Sequence, residues 1–171
     1  MHARVLRPRG GPTLVVRPLR HGDVRTVSSV FERLSERSRR TRFNGPKPRL
    51  GAAELARLAT VDATHHVLVA HVEGEPRPVA IARLVRSGVR AEIAFEVVDA
   101  YQRRGIGSAL AAELVADARA AGVIEVTAVV ASDNPAALAL LHRIVTVLEV
   151  CLDGPDVLVR GAIARPALAG A

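Results

Sequence analysis

Three groups of residues in this chain could do chemistry, and the first is the stretch "DAYQRRGIGSAL" at 99–110. It sets Arg103, Arg104, Gly105 and Gly107 between a strand-like run and a helix-like run. The first amides of a helix have no intrahelical acceptor, and the helix dipole places about +0.5 charge there. Glycine lets those amides approach a ligand that a Cβ would repel, and arginines add full charge. Such a loop suits an anion, above all a diphosphate held chiefly by backbone.

The second group is Glu92 and Glu96, four apart on the preceding run. On a strand they share a face with Ala94 and Val98, while Ile93, Phe95 and Val97 point the other way. A carboxylate there could serve as a general base or, as read for Glu96, pair with a neighbouring arginine. The third is the run "ERSRRTR", with Arg37, Arg39, Arg40 and Arg42. Those side chains read either as a solvated helix face or as an attraction for an acidic substrate.

Metal chemistry is not expected. Cys151 is the single cysteine, which excludes an internal disulfide and an all-cysteine metal site. His65 and His66 are adjacent, so on a strand they point to opposite faces.

Two familiar phosphate loops do not fit the glycines. A nucleotide P-loop ends in Gly-Lys-Ser/Thr, and Lys47 is the only lysine of the chain. A dinucleotide fingerprint needs Gly-x-Gly-x-x-Gly directly after the strand, but the sixth position is Leu110 and Asp99 to Arg104 intervene.

The elements around the loop can be read from periodicity. Residues 1–12 mix Arg, Gly and Pro without pattern and read as a flexible tail. "TLVVRPL" reads as a strand stopped by Pro18, and one or two helices follow from about 23 to 43, with Asp23 as a cap. After "NGPKPRL" and a short helix in "GAAELARLAT" come three strands, "HHVLVAHVEG", "RPVAIARLVRS" and "VRAEIAFEVV", as an antiparallel meander. Ile106, Leu110, Leu114 and Ala118 then recur every four residues in an amphipathic helix ending at Gly122. "IEVTAVVAS" is a strand, "DNPAALALLHRIV" a helix with Pro135 in its first turn, and "TVLEVCLDGPDVLVRGAI" a hairpin turning at 153–156. The strand–helix–strand crossover after a meander predicts an α/β (α+β) fold, a mixed sheet with helices on its faces.

Composition bounds the partners. A chain of 171 residues fits one domain, taken as 13–164, with tails at 1–12 and 165–171. The formal charge of +7 admits an anionic partner, but aromatics are only 2 % of residues, so stacking on exposed bases is not expected and neither is nucleic acid. No apolar run is long enough for a signal core or a membrane span, and a cytoplasmic protein without membrane attachment is the expectation.

"QRRGIG", preceded by "AEIAFEVV", resembles the Gln/Arg-x-x-Gly-x-Gly/Ala signature of the GNAT superfamily of N-acetyltransferases, and the resemblance in element order runs from about 13 to 145. It implies a largely antiparallel mixed sheet with helices on both faces and a splayed central strand pair that admits the pantetheine arm of acetyl-CoA, the co-substrate. It implies that Gln102, Arg103, Arg104, Gly105, Ile106, Gly107 and Ser108 hold the pyrophosphate, mostly through backbone N–H. Phe95 to Val98 would line the thioester, the Val97 amide would polarise its carbonyl, and Asn134 would contact pantetheine. "AEIAF" is similar to the segment of histone-type lysine acetyltransferases and some actinobacterial protein acetyltransferases in which the glutamate is the general base, here Glu92. The implied acceptor is a primary amine, on a small molecule or a protein lysine, and the superfamily allows a homodimer. Such protein acetyltransferases sometimes carry a regulatory nucleotide-binding domain, for which 171 residues hold no room.

Two departures stand out. The position where many members carry a general-acid tyrosine is Leu141, with His142 turned about 100° around the helix, and the only tyrosine is Tyr101. The usual Leu-Gly-Phe turn after that helix is "RIVTVLEV", without a glycine, so the boundary near 144 and the last strands are not fixed by the resemblance. These departures support the alternative of a non-catalytic acyl-CoA-binding sensor or structural module; Glu92 in its expected place argues for an enzyme.

Overall fold

The β-branched runs pair into one eight-stranded sheet. The computed structural model describes residues 2–163. Its strands are β1 (Arg4–Leu6), β2 (Leu14–Pro18), β3 (His65–Val72), β4 (Ala80–Ser87), β5 (Arg90–Val97), β6 (Glu125–Ala131), β7 (Thr146–Asp153) and β8 (Asp156–Ala162). Their order is β1-β2-β3-β4-β5-β6-β8-β7, and every neighbouring pair is antiparallel except β5 and β6. The helices are α1 (Val24–Glu32), α2 (Glu36–Phe43), α3 (Ala52–Leu58), α4 (Ile106–Ala120) and α5 (Pro135–Ile144), with a single 3-10 turn at Asp99–Tyr101. Among the described residues no helix is long and apolar enough to cross a membrane.

One correction falls at the N-terminus, where the pattern-free stretch 1–12 contains a strand. β1 pairs Arg4 with Val16 and Leu6 with Leu14, and Arg4 reaches Glu113 and Asp117 of α4, each at 2.6 Å. Three residues are too short to show alternation, so only the ladder and the ion pairs reveal the element. Residues 165–171, read as a tail, lie outside the described residues.

Alternation on β3 divides the core in two. Leu68 and Ala70 join the cluster under α4, where Ile106, Leu110, Leu114 and Ala118 form the predicted stripe. Val67 and Val69 face the other way, onto Val27 and Val30 of α1, with α3 packed beside them. Asp23 caps α1 as expected, accepting from the Thr26 amide at 3.1 Å. Helices therefore cover both faces, and each face positions one side of the site.

The missing glycine after α5 has an explanation in the helix end and in the strand beside it. Val145 leaves the helix in extended conformation, φ −138°, so the chain passes straight into β7 without a left-handed turn. Glycine appears instead across the sheet at Gly161, where an added Cβ would overlap Val145 Cγ2 and sit 3.0 Å from its Cβ. Val145 is β-branched and stiff, so it cannot swing aside. Gly161→Ala is expected to cost about 1–3 kcal/mol through overpacking, read as a lower midpoint in urea unfolding.

β5 and β6 are the parallel pair, and they separate. Register between them covers only Arg90, Ala91 and Glu92 against Glu125, Val126 and Thr127, while β5 stays paired to β4 through Val97. Beyond Glu92, β6 keeps its ladder with β8 and leaves β5. This is the splayed central pair that the resemblance implied.

Candidate active site

The gap between β5 and β6 collects the predicted residues. The Val98 amide donates to Val79 O at 2.9 Å, and antiparallel ladders alternate, so Glu92, Ala94 and Glu96 direct their backbone groups at β4. Phe95 and Val97 must then direct theirs into the gap. Val98 does not join them, since its amide is spent on Val79 and its side chain is buried in the α1 cluster.

At the open end of β5 the chain enters the glycine loop. Arg103 has φ 56° and Gly105 φ 75°, and Gly105 caps α4 without a side-chain bond. Among the described residues the amides of Arg103, Arg104 and Gly105 meet no hydrogen-bond acceptor, and helix geometry leaves those of Ile106, Gly107 and Ser108 without an intrahelical one. The side chain of Ile106 is buried in the core, so it anchors the helix start and can offer a ligand only its amide. A Cβ on Gly107 would stand 3.6 Å from Val97 Cγ2, an ordinary contact. Packing alone does not require glycine at 107, whereas an approaching ligand would. The run of amides, the glycines and the neighbouring cations thus fit a diphosphate.

Gln102 has a different task for its side chain. Its Nε2 donates to Val97 O at 2.9 Å and to Ser38 Oγ at 3.2 Å, so it braces the strand end against α2. Asp99 completes the brace, accepting from Ser35 N and Ser35 Oγ at 2.7 Å and from Ser38 Oγ at 2.8 Å. Partial burial opposes the Asp99 charge, but the bonds from Ser35 and Ser38 outweigh it and hold its pKa below the usual aspartate value. A carboxylate with a depressed folded pKa contributes stability above its unfolded pKa and loses it as pH falls toward the folded one. Asp99→Asn is therefore expected to lower stability by about 1–2 kcal/mol at pH 7, and the difference from the wild type should shrink below pH 4 in parallel urea titrations.

α2 packs against both β5 and β6 and so spans the gap on one face. A cleft of about 340 Å³ lies there, lined by Glu36, Arg37, Arg40 and Thr41 of α2 and by Asp133. The arginine run is thus divided. Arg39 lies over the Phe31 ring at 4.5 Å and donates to backbone carbonyls, Arg42 turns inward, and Arg37 and Arg40 border the cleft. A solvated face describes only part of it.

The two glutamates separate sharply. Glu96 is buried, with its carboxylate 3.2 Å from Arg42 and 3.8 Å from Arg83, and Arg83 also donates to Leu58 O. Burial, with Arg42 nearby, pushes the Arg83 guanidinium down to about 10 despite Glu96. Glu92 is exposed at the point where the strands part and has no ion-pair or hydrogen-bond partner among the described residues. Glu96 is thus the strand carboxylate paired with arginine that the sequence suggested, its partners coming from α2 and from β4.

Asn134, on the other lip, caps α5 and accepts from the Ala137 amide at 3.1 Å, leaving its side-chain N–H groups uncommitted. Leu141 is buried in the core, and Tyr101 donates its hydroxyl to Glu75 at 2.7 Å with Arg33 and Arg104 over its ring. His65 and His66 do point apart, to Asp62 and Asp117. Sequence reasoning missed the Asp99–Ser35–Ser38 brace, and it placed an arginine beside Glu96 without naming Arg42 or Arg83, because these contacts join residues distant along the chain.

A mixed sheet split between two parallel strands, with a glycine-started helix at the open end, defines an acyltransferase fold. Residues 31–145 match the acetyltransferase (GNAT) family, and the chain belongs to that family. It is 39% identical over 141 residues, 80% of its length, to Acetyltransferase Pat of Mycolicibacterium smegmatis, and spans 42% of that relative. The crystal structure of the GNAT domain of S. lividans PAT superposes with a TM-score of 0.83 at 28% identity, covering 94% of this chain and 97% of that one. A cAMP-binding acyltransferase from Mycobacterium smegmatis gives 0.65 at 30% identity, covering 95% of this chain and 48% of that one.

Proposed function

We propose that this chain transfers an acetyl group from acetyl-CoA to a primary amine, with Glu92 as the general base. The observation that carries the reading is the open gap between β5 and β6, with a run of amides at one end and a carboxylate at the other that have no partner among the described residues. Acetyl-CoA supplies an activated acyl thioester. Residues 103–108 hold the diphosphate by their amides, and the Asn134 side-chain amide faces the pantetheine arm. The amides of Phe95 and Val97 offer hydrogen bonds to the carbonyl oxygen, where charge develops. Glu92 takes a proton from the ammonium through water, and with Leu141 where a tyrosine would stand, the departing thiolate takes a proton from water or from the amine. A thiol pKa near 8.5 makes that step inexpensive.

A protein lysine is the acceptor class we favour. Small-molecule sites are concave and enclose their ligand, whereas the face around Glu92 is open, with Val129 of β6 42% exposed. The site residues are reachable by an amine on a large partner. The buried Leu141 supports a second reading, a module that binds acyl-CoA without turnover. Release of CoA from acetyl-CoA, measured across a panel of small amines and lysine peptides, separates the two: turnover on any amine supports the enzyme, and tight binding with no turnover on the whole panel would leave the binding module.

A further inference from the structure

The N-terminal arm is seated on the glycine loop. Gly11 donates its amide to Pro8 O at 3.1 Å, and Gly10 has φ 70°, so residues 8–11 form a tight turn with Arg9 at its corner. A Cβ on Gly105 would meet Pro8 Cβ at 3.1 Å and Arg9 O at 4.0 Å, and a Cβ on Gly11 would overlap the Arg104 carbonyl oxygen. Two glycines on opposite segments are therefore what lets the turn and the loop touch. β1 and the ion pairs of Arg4 to α4 hold the arm from the other side.

This contact sets Pro8 and Arg9 against the loop that already carries Arg103 and Arg104, with Arg7 one residue before Pro8. All four arginines are exposed, and among the described residues none lies within 4.0 Å of a carboxylate. Other arginines of the fold, such as Arg4, Arg42 and Arg160, do have acidic partners. Like charges gathered without counter-charge repel one another, and an anion relieves them. The amides of 103–108 suffice for a diphosphate; a second, separate anion is what side-chain cations at the rim would serve.

We propose that Arg7 and Arg9 on the turn recognise the 3′-phosphate on the adenosine ribose of CoA, making the N-terminal arm part of the cofactor site. The proposal rests on the acetyl-CoA reading above. A phosphate monoester is compact and dianionic, which matches guanidinium groups at an exposed corner better than it matches backbone amides.

The test compares CoA with 3′-dephospho-CoA by calorimetric titration of the wild type, the Arg7→Ala/Arg9→Ala double variant and Gly11→Ala. The wild type is expected to prefer CoA, and the double variant to lose about five- to tenfold in affinity for CoA while changing less than about twofold for 3′-dephospho-CoA. Gly11→Ala, which keeps both arginines but pushes the turn off the loop, should show the same selective loss. Equal losses on both ligands, or none, with the wild type still binding CoA, overturn the role of the arm and leave the acetyltransferase reading intact. A wild type that binds neither CoA nor acetyl-CoA overturns both.

Discussion

Glu92→Gln is expected to lower kcat for amine acetylation by about 10²- to 10⁴-fold while leaving the Kd for acetyl-CoA within about twofold. The residue lies at the last register position before β5 and β6 part, on the face opposite α4, and among the described residues no cation holds its carboxylate. At about 3.3 Å per residue, Phe95 stands about 10 Å along the strand and Val97 about 16 Å. A base at Glu92 therefore serves an amine held near Phe95 or Val97 through intervening water rather than by direct contact. The loss should be greatest at neutral pH, where the ammonium must be deprotonated, and should shrink as pH approaches the amine pKa of about 10.4. A full pH–rate profile of the variant checks this; a constant deficit across the range would place Glu92 outside the proton transfer. Glu96→Gln is the contrast, because it leaves the buried Arg83 and the partly buried Arg42 without a counter-charge. That variant is expected to lose about 3 kcal/mol of stability, seen in denaturant unfolding before any assay is run.

Gly107→Ala is expected to weaken acetyl-CoA binding at least about tenfold without weakening the fold. The new methyl group finds space, 3.6 Å from Val97 Cγ2, and sits in the first turn of a 15-residue helix. Replacing glycine by alanine inside a helix adds up to about 1 kcal/mol of helix stability, less near the end. The expected signature is therefore a melting temperature equal to or above wild type together with a raised Kd. A variant that binds acetyl-CoA normally would mean that the amides of this loop do not meet the diphosphate. Gly105 cannot be used this way, since its φ of 75° and its approach to Pro8 would mix strain with ligand effects.

Much of this protein was legible in its linear pattern. The meander, the stripe on α4, the Asp23 cap and the hairpin turning at 153–156 are local periodicities or turn chemistries, and each formed where it was read. The loop at 99–110 was legible for the same reason: its glycines and arginines are neighbours in the chain. Other features were not legible, because each depends on residues far apart in sequence. β1 exists through its ladder with β2 and the ion pairs of Arg4 to α4, and the chain after α5 needs no glycine because Gly161, sixteen positions beyond Val145, makes the room instead.

The sequence by itself determined most of the elements and marked the residues of β5 and the glycine loop as candidates. Tertiary structure alone decided what those residues are free to do. Glu92 and Glu96 share a strand face, yet Arg42 of α2 and Arg83 of the neighbouring β4 pair with Glu96 and leave Glu92 exposed. Gln102 belongs to the signature, yet its side chain is drawn to Val97 and Ser38. Strand alternation assigns a side chain to a face, but burial and charge partners come from the element that covers that face, and that element lies elsewhere in the chain.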